Sequence, residues 1–354
     1  MKKEIGSEFW TGCSPKGNGV ALPSDDGHFR GTLSGRVALD YIASQLVQNG
    51  LMSVGLPSYC CHTMIEPFVS HGFKVFFYDV WTSVYGIRRY ISDTDACDVF
   101  LLLDYFGHVD EETMLISREL KSKGKVIIYD RTHTVFSGVS GDFCDYEFGS
   151  YRKWMDVNFG YACSHQRPFV DGSGWRQHND YVGMRQRLFE LKAQYMNDND
   201  VKKDAFLPLV DEAELLLSKS YRYWLPDQRS KDVLKSTDVE KICAIRRRNA
   251  KVLMDGLHDI SGLRLLFPSF NEKDTPLLVP VLVAGGKRDA LRRHLIQRQI
   301  YCPVHWPLSG LHRISEKAKR IYGEELSLVC DQRYDVDDMH RMVDAIRAFF
   351  LLMD

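Results

Sequence analysis

The sequence predicts an α/β fold, with a large domain built on a mostly parallel central sheet and a small C-terminal α/β domain. Two observations support this fold class. The first half of the 354-residue chain alternates short β-rich runs with helical patterns, an order typical of βαβ units. Runs such as 99–104 (VFLLLD) and 125–130 (KVIIYD) are apolar almost throughout, as parallel strands buried on both faces usually are. We place the large domain at 1–240 and the small domain at 241–354.

The elements of the large domain follow from hydrophobic periodicity and from terminating residues. Apolar residues at 37, 41, 42 and 46 predict a helix over 34–50, which ends at a glycine. In chain order we then predict a strand at 54–59, a helix at 62–72, strands at 74–80 and 98–107, a helix at 110–124 and a strand at 125–130. Residues 148–164 indicate short strands and turns, and residues 175–220 are charged and helical.

The C-terminal part shows an α/β pattern again. A long helix over 237–257 is expected to carry the chain into the small domain. Strands are predicted at 278–284 and 298–303, and helices at 287–297 and 335–350. On the long helix, the basic run Arg246-Arg247-Arg248 is interpreted as a solvated face.

The composition excludes several classes of protein. The 46 basic and 47 acidic residues give a net charge of −1, and 44% of the residues are hydrophobic, which excludes a disordered chain and a basic field for nucleic acid. No apolar run approaches the length of a membrane span, and the N-terminus lacks the apolar segment of a secretory signal. Nine scattered cysteines, an odd number, indicate reduced thiols. We therefore expect a cytoplasmic protein with no nucleic-acid or membrane partner.

Several common site motifs are absent from the chain. It has no P-loop, no GxGxxG after a strand, no HExxH and no GxSxG, so the chemistries of those motifs lose support. Cys60, Cys61 and His62 could each bind a metal, but no second ligand pair follows them. Consecutive strand residues also point to opposite faces and cannot converge on one ion. We interpret the cysteines as a plain thiol pair and expect no metal.

The most informative pattern is a predicted strand that ends in Asp130, followed further along the chain by Lys153. Ligands of parallel sheets bind beyond the carboxyl ends of the strands, where Asp130 is expected to lie. A lysine nucleophile and an aspartate at one site suit pyridoxal phosphate, because the amine forms a Schiff base and the carboxylate keeps the ring nitrogen protonated. The alternative is a loop aspartate and a solvated lysine.

A third feature is the start of the first predicted helix at Ser34-Gly35-Arg36. Backbone N–H groups at a helix N-terminus bind phosphate well. Ser34 is also a good N-cap residue, so this segment is open to a purely structural interpretation. The combination of a phosphate seat, a strand-end aspartate and a later lysine is more informative than any one of them.

The order of these motifs resembles the DegT/DnrJ/StrS sugar aminotransferases, which are fold type I pyridoxal phosphate enzymes. The resemblance extends over most of 30–350. The matching segments are SGRVAL (34–39), LPSYCCHT (56–63), DYFGHVD (104–110), YDRTH (129–133), SYRKW (150–154) and CPVHWPL (302–308).

The resemblance implies roles for five residues. Lys153 would form the Schiff base with pyridoxal 5′-phosphate, Asp130 would pair with the pyridine nitrogen, and His133 would lie near the phenolic oxygen. Gly35 would occupy the phosphate-binding helix start, and Ser150 is the candidate hydroxyl for the phosphate.

The chain also departs from the family pattern. Arg36 stands where a small residue or threonine is usual; it could bind the cofactor phosphate, hold an acidic group of the substrate, or bend away to a surface carboxylate. Cys61 aligns with the aromatic residue that covers the cofactor in most members, so Cys61 or His62 must contact the cofactor differently. The region 170–235 looks remodelled, and 221–231 (YRYWLPDQRSK) lacks the asparagine that members send into the neighbouring subunit's site.

The resulting hypothesis is an aminotransferase of surface polysaccharide or amino-sugar biosynthesis. It would move an amino group from an amino-acid donor, glutamate in most of the family, to a keto sugar that is expected to be nucleotide-linked. Tyr105 and His305 are candidates for substrate contact, with structural roles as the alternative, and the resemblance implies a homodimer. Two alternatives remain: a pyridoxal phosphate sugar dehydratase, in which histidine would replace Lys153, and an inactive relative with a binding or regulatory role.

Overall fold

The computed structural model describes residues 4–24, 26–139, 141–170, 174–197 and 200–352. The strands are β1 (Ile5–Gly6), β2 (Phe29–Thr32), β3 (Ser53–Pro57), β4 (Lys74–Ser83), β5 (Gly86–Tyr90), β6 (Val99–Leu103), β7 (Val126–Asp130), β8 (Tyr146–Ser150), β9 (Gly160–Ser164), β10 (Leu263–Leu265), β11 (Val279–Val283), β12 (Ile300–Tyr301) and β13 (Glu325–Leu328). The helices are α1 (Gly35–Gln48), α2 (His62–Ser70), α3 (Glu111–Ser122), α4 (Asn179–Met196), α5 (Leu207–Lys219), α6 (Gln228–Lys235), α7 (Val239–Leu257), α8 (Arg288–Ile296), α9 (Glu316–Glu324) and α10 (Val336–Leu351).

An eight-stranded sheet forms the centre of the large part of the chain, in the order β2-β9-β8-β7-β6-β3-β4-β5. The five strands from β8 to β4 pair in parallel, and the outer pairs are antiparallel. Every residue of β6 is buried, as expected for a strand that is covered on both faces. The predicted fold class is therefore confirmed.

The carboxyl ends of β6, β7 and β8 meet at one edge of this sheet. In the register, Asp130 lies opposite Leu103 on one side and Phe148 on the other. Helix α1 begins against β9 at the same edge. An added Cβ at Gly160 would lie 2.4 Å from the carbonyl carbon of Ser34, so only glycine permits this close approach.

Most predicted elements of the large domain are present, with shifted ends. The strand expected at 98–107 is the shorter β6, because the chain turns sharply through Phe106 (φ 58°) and Gly107 (φ 92°). The sequence analysis missed β2, β5 and α6. The two strands are antiparallel pieces at the edges of the sheet, and they lack the continuous apolar run of a fully buried strand.

The C-terminal part contains a three-stranded antiparallel sheet, β10-β11-β13, with its own apolar core. Helices α7, α8 and α10 pack in this core, and the predicted strand at 278–284 corresponds to β11. The strand predicted at 298–303 is only β12, which pairs with β1 near the N-terminus. Ile5 accordingly belongs to the C-terminal core. The division of the chain at residue 240 stays a prediction.

No helix among the described residues combines the length and apolar character that crossing a membrane requires.

The basic run on α7 is not uniformly solvated, and the interpretation of Arg246 as part of a solvated face is wrong. Arg246 is completely buried, with its guanidinium 4.5 Å from the centre of the Trp154 ring. The guanidinium donates to the Leu277 carbonyl (2.9 Å) and to the Gln332 side chain (3.0 Å). Helical periodicity alone did not reveal that this position faces an aromatic ring and uncapped carbonyl groups.

Arg246→Ala is expected to lower the free energy of unfolding by about 2–3 kcal/mol, because it leaves buried hydrogen-bonding groups without partners. The matched control is Arg248→Ala, since Arg248 lies on the same helix and is exposed; its effect should stay within about 0.5 kcal/mol. Urea unfolding of the two variants measures the difference, and equal effects would contradict the structural role of Arg246.

Candidate active site

Lys153 lies in a single 3-10 turn, Tyr151–Lys153, directly after β8. The next residue, Trp154, anchors this turn. Its indole N–H donates to the Thr132 carbonyl (2.8 Å), and its own carbonyl accepts a hydrogen bond from the Gln332 amide (2.6 Å). The turn is therefore held by the large sheet on one side and by the C-terminal part of the chain on the other.

The Lys153 amine contacts His133, which is buried. The distance from Nζ to His133 Nε2 is 3.3 Å, and the backbone N–H of Phe106 donates to His133 Nδ1 (3.1 Å). Because Nδ1 accepts a hydrogen bond, the proton of a neutral imidazole is on Nε2. His133 Nε2–H can then donate to Nζ only if the amine is neutral and offers its lone pair.

The electrostatic environment of Lys153 agrees with this hydrogen bond. Burial lowers the pKa of Lys153 and outweighs the opposite effects of Cys61 and Asp130. Burial and the charge of Lys153 also hold the pKa of His133 well below its usual value. A desolvated, neutral lysine amine is the form that acts as a nucleophile or a base.

Asp130 is buried at the end of β7, and the backbone N–H of Thr132 donates to its Oδ1 (2.7 Å). Burial raises the pKa of Asp130 to about 6, while Thr132 and Lys153 act in the opposite direction. A carboxyl group with this pKa is poised to hold a cationic partner, because a positive charge beside it favours the ionised form.

The first turn of α1 forms a cradle with the loops after β7 and β8. An added Cβ at Gly35 would lie 3.2 Å from Ser150 Cβ and 3.7 Å from Thr132 Oγ1. Ser34 caps the helix by accepting a hydrogen bond from Val37 N–H (3.4 Å), and the preceding N–H groups of a helix have no intrahelical partner. The cradle thus offers N–H groups and hydroxyls to an anion.

Arg36 lines the same cavity, but its guanidinium points toward the outer wall. Nη1 lies 3.7 Å from Glu66 and 3.3 Å from Ser218 Oγ, and the group lies over the Tyr221 ring. The side chain is 8% exposed, and among the described residues its Nε has no hydrogen-bond partner. Of the three roles considered for Arg36, the contact with a carboxylate matches this geometry most closely. Binding of the cofactor phosphate and binding of an acidic group of the substrate stay predictions.

Cys61 precedes α2 and faces the cavity together with His62. Thr63 Oγ1 donates to the Cys61 sulfur (3.1 Å), and His62 Nδ1 lies 3.9 Å from it. Burial raises the pKa of the Cys61 thiol, but the contacts with His62 and Thr63 and the charge of Lys153 prevail and lower it to about 7. Cys61 therefore offers a readily ionised thiol at the position where the resemblance led us to expect an aromatic ring.

An aromatic residue that the sequence analysis missed lines this cavity from another direction. Trp306 stacks on His133 with an interplanar angle of 27°, and its ring centre lies 5.7 Å from Lys153 Nζ. Its neighbour His305 also lines the cavity and lies edge-on to His133. Trp306 belongs to the CPVHWPL segment (302–308), and its place in that segment is the one sequence feature from which its position at the site could have been predicted.

Tyr105 does not line the cavity of Lys153. It is buried behind the site, where its hydroxyl donates to the Tyr59 carbonyl (2.8 Å) and its ring stacks on Tyr59. The structure therefore places Tyr105 in the wall, and its role in substrate binding stays an untested prediction.

Two cavities meet at Lys153. One, of about 300 Å³, contains the cradle at Gly35, the Asp130 carboxyl group and Cys61. The other, of about 480 Å³, lies between the N-terminal segment 6–9 and the C-terminal part of the chain. Four residues, Arg152, Lys153, Glu214 and His305, line both. The amine is thus accessible from two sides.

One group of metal-capable residues lies elsewhere, at the amino end of β8. Ligand atoms of Cys144, Glu147 and His165 lie within 4.8 Å of one another. Arg131 and the Tyr161 hydroxyl already contact the Glu147 carboxylate, so its charge is compensated without an ion. The expectation of a metal-free protein stays a prediction.

Comparison with known proteins finds similarity in solved structures. No family model matches the chain, and no curated protein matches its sequence. The aminotransferase TlmJ from Streptoalloteichus hindustanus has a TM-score of 0.62 at 16% identity, with 92% of this chain and 87% of that chain covered. Helicobacter pylori PseC, an aminotransferase involved in the biosynthesis of pseudoaminic acid, has a TM-score of 0.61 at 14% identity, covering 91% and 86%.

A third structure is Spr1654 from Streptococcus pneumoniae in its PMP form, described as a sugar aminotransferase. It has a TM-score of 0.62 at 13% identity and covers 98% of both chains. At these identities the similarity establishes the fold. The chain has the fold of the type I pyridoxal phosphate aminotransferases, and the resemblance noted in the sequence is confirmed at that level.

Gly35→Ala tests the cradle. The added methyl group would contact Ser150 and fill space that the phosphate needs, so we expect the dissociation constant for pyridoxal phosphate to rise about tenfold or more. Gly183→Ala is the matched control, because a Cβ there would meet nothing within 4 Å. Equilibrium titration measures both, and unchanged affinity in Gly35→Ala would place the phosphate elsewhere.

The thiol of Cys61 is expected to react with iodoacetamide with a pH midpoint near its pKa of about 7. Thiolates are the reactive form, so the rate should rise as pH increases through that value. Cys163 is the internal control, since it is similarly half-buried but burial raises its pKa to about 11. Peptide mass spectrometry follows the modification of both cysteines, and identical pH profiles would contradict the lowered pKa of Cys61.

Proposed function

We propose that this protein is a pyridoxal phosphate-dependent aminotransferase that transfers an amino group to a keto sugar. The observation that carries this proposal is the convergence of Lys153, Asp130 and the Gly35 cradle on one cavity. A nucleophilic amine, a carboxyl group and an anion seat lie at one edge of the sheet, where ligands of parallel sheets bind.

The residues present fit the cofactor. Gly35, Ser150 and Thr132 would hold the phosphate, and the backbone at Gly35 leaves space that a Cβ would fill. Asp130 would pair with the ring nitrogen, and Lys153 would hold the aldehyde carbon. When bound, pyridoxal phosphate withdraws electrons from the carbon that carries the substrate's amino group, which makes its hydrogen acidic.

The remaining chemistry belongs to the protein. Burial lowers the pKa of Lys153, which favours the neutral amine that would accept and return a proton at Nζ. His133 keeps its proton on Nε2, so it orients the lysine lone pair without competing as a base. Asp130 at the end of β7 would stabilise the positive charge of the ring nitrogen, and the centre of the Trp306 ring lies 5.7 Å from Lys153 Nζ.

The substrate class rests on resemblance and on the neighbours named above. PseC is an aminotransferase of pseudoaminic acid biosynthesis and Spr1654 is described as a sugar aminotransferase. We extend this to a keto sugar acceptor, expected to be nucleotide-linked, with glutamate as donor. A role in surface polysaccharide or amino-sugar biosynthesis and a cytoplasmic homodimer belong to the same proposal.

Two alternatives have less support. A sugar dehydratase of this fold would carry histidine in place of Lys153. An inactive relative would have no reason to retain a desolvated lysine, a buried aspartate and an open helix start on one cavity.

The test is to supply the protein with pyridoxal phosphate, glutamate and a panel of nucleotide keto sugars and to identify products by mass spectrometry. Aminated sugar supports the proposal, deoxy sugar supports the dehydratase, and no cofactor binding supports the inactive relative.

Asp130→Asn is expected to slow transamination by about 10- to 1000-fold. A neighbouring charge shifts a pKa by about 1–3 units, and each unit is worth about 1.4 kcal/mol, a factor of about ten. Loss of the carboxylate is therefore expected to lower the pKa of the ring nitrogen by about 1–3 units, so that less of the ring is protonated. The control is Asp98→Asn, an exposed residue before β6 at the opposite end of the sheet. Stopped-flow rates with glutamate measure both variants, and an unchanged rate in Asp130→Asn would remove it from this role.

A further inference from the structure

The second cavity at Lys153, of about 480 Å³, is lined by many charged side chains. Besides Lys153 they are four arginines and three carboxylates: Arg152, Arg185, Arg292, Arg333, Glu8, Glu214 and Asp331. A charge that is already paired within the wall attracts a charged ligand only weakly, whereas an excess charge draws in a ligand of the opposite sign. The pairing of these groups therefore indicates what the cavity can bind.

Two of the arginines form a neutral group with two carboxylates. Arg152 pairs with Glu214, and Arg185 Nη1 lies 2.9 Å from Glu8 Oε2. The two pairs also attract each other. The pKa of Arg152 is raised by Glu214 and, to a smaller extent, by Glu8. The pKa of Glu214 is lowered by Arg152 and, to a smaller extent, by Arg185. These four side chains thus carry no excess charge.

The third arginine, Arg333, is occupied by the protein. Its Nη2 lies 2.7 Å from Asp331 Oδ2, and its Nη1 donates to the carbonyls of Ser7 (3.0 Å) and Glu8 (2.9 Å). Arg333 therefore fastens the N-terminal segment to the C-terminal part of the chain, and its charge is compensated by Asp331.

Arg292 on α8 differs from the other three arginines. Its Nε donates to the Cys302 carbonyl (3.2 Å), which fixes one edge of the guanidinium at the cavity wall. Within the described part of the chain, no carboxylate lies within 4.0 Å of this group, and neither Nη atom has a hydrogen-bond partner. The side chain is exposed and lines the cavity, so its two Nη groups are open to a ligand. A guanidinium presents such a pair of N–H donors in the spacing of two carboxylate or phosphate oxygens.

Lys153 is the remaining cation of this cavity, but it lies where the two cavities meet and is expected to react with the substrate. Burial lowers its pKa, which weakens it as a partner for an anion. A carboxylate attached to the reacting carbon must stay beside Lys153, since one bond separates them. The exposed Arg292 on the α8 wall is instead available to a group further along the substrate.

We propose that Arg292 binds the anionic group that a substrate carries away from its reacting carbon. The inference rests on the proposed function. In a nucleotide-linked keto sugar this group is the diphosphate, and in glutamate it is the side-chain carboxylate. Both offer two oxygens to the Nη pair. Arg292 contacts no reacting atom, so it determines which substrates bind and leaves the chemical step unchanged.

Arg292→Gln in the holoenzyme tests this assignment. Glutamine removes the charge and still offers an amide donor to the Cys302 carbonyl. The two half-reactions are followed separately by stopped flow, with glutamate or with the nucleotide keto sugar as the varied substrate. We expect the apparent dissociation constant of at least one of them to rise about tenfold, because a hydrogen-bonded charge is lost, while the rate at saturation changes less than about threefold. A rise with the sugar assigns the diphosphate, and a rise with glutamate assigns the carboxylate. A rise with neither would overturn the proposal.

The matched control is Arg293→Gln, since Arg293 is the next residue of α8, is exposed and lines neither of the two cavities. Its constants should equal those of the wild type. Arg292→Lys keeps the charge but loses the paired donors, so its dissociation constant should rise about threefold. Added salt should weaken substrate binding in the wild type more than in Arg292→Gln. Equal effects of Arg292→Gln and Arg293→Gln would contradict a role in binding.

A second measurement is independent of activity. Inorganic pyrophosphate and glutarate are titrated calorimetrically into the protein saturated with pyridoxal phosphate, so that the Gly35 cradle is occupied. The dissociation constant of at least one probe should rise about tenfold in Arg292→Gln and stay unchanged in Arg293→Gln. Equal affinity of the three proteins for both probes, or binding by none, would overturn the assignment even if the protein is an aminotransferase. Binding that depends on Arg292 without any transamination would contradict only the proposed function.

Discussion

Partial burial of the Lys153 amine without a paired carboxylate is the constraint on which the site depends. Among the described residues, no ion pair within 4.0 Å includes this lysine, and burial lowers its pKa. The closest polar contact is a histidine whose tautomer is set by a backbone N–H. Burial therefore favours the neutral, reactive form of this lysine, and the turn that carries it is anchored through Trp154 by residues from both parts of the chain.

The topology explains why the other groups converge on this amine. Parallel pairing places the carboxyl ends of β6, β7 and β8 at one edge, and the close approach at Gly160 lets α1 begin there. A negative group is then favoured by the helix start, and a positive one by Asp130. One part of the cavity therefore favours an anion and another part favours a cation. This arrangement suits a ligand with a phosphate at one end and a ring nitrogen at the other.

Much of this arrangement could be predicted from the sequence, because buried parallel strands have a distinctive apolar run and their ends predict where ligands bind. Asp130 was predicted in this way, whereas Lys153 was predicted from its place further along the chain and Gly35 from the start of the first helix, together with the family resemblance. Trp306 and Arg246 contribute through contacts between segments that are distant in sequence, and no local pattern reveals such contacts. The short antiparallel edge strands were missed for a related reason, since they bury too little apolar surface to show a pattern.

The central claim is that Lys153 is the residue that binds the cofactor, and the most direct test is covalent trapping. The protein is incubated with pyridoxal phosphate, reduced with borohydride and digested, and the modified lysine is identified by mass spectrometry. We expect modification of Lys153. The sharpest competitor is Lys192, a completely buried lysine whose pKa burial lowers to about 7 and which lies beside Glu4 instead of the cavity. Modification of Lys192, of another lysine, or of none would contradict the account.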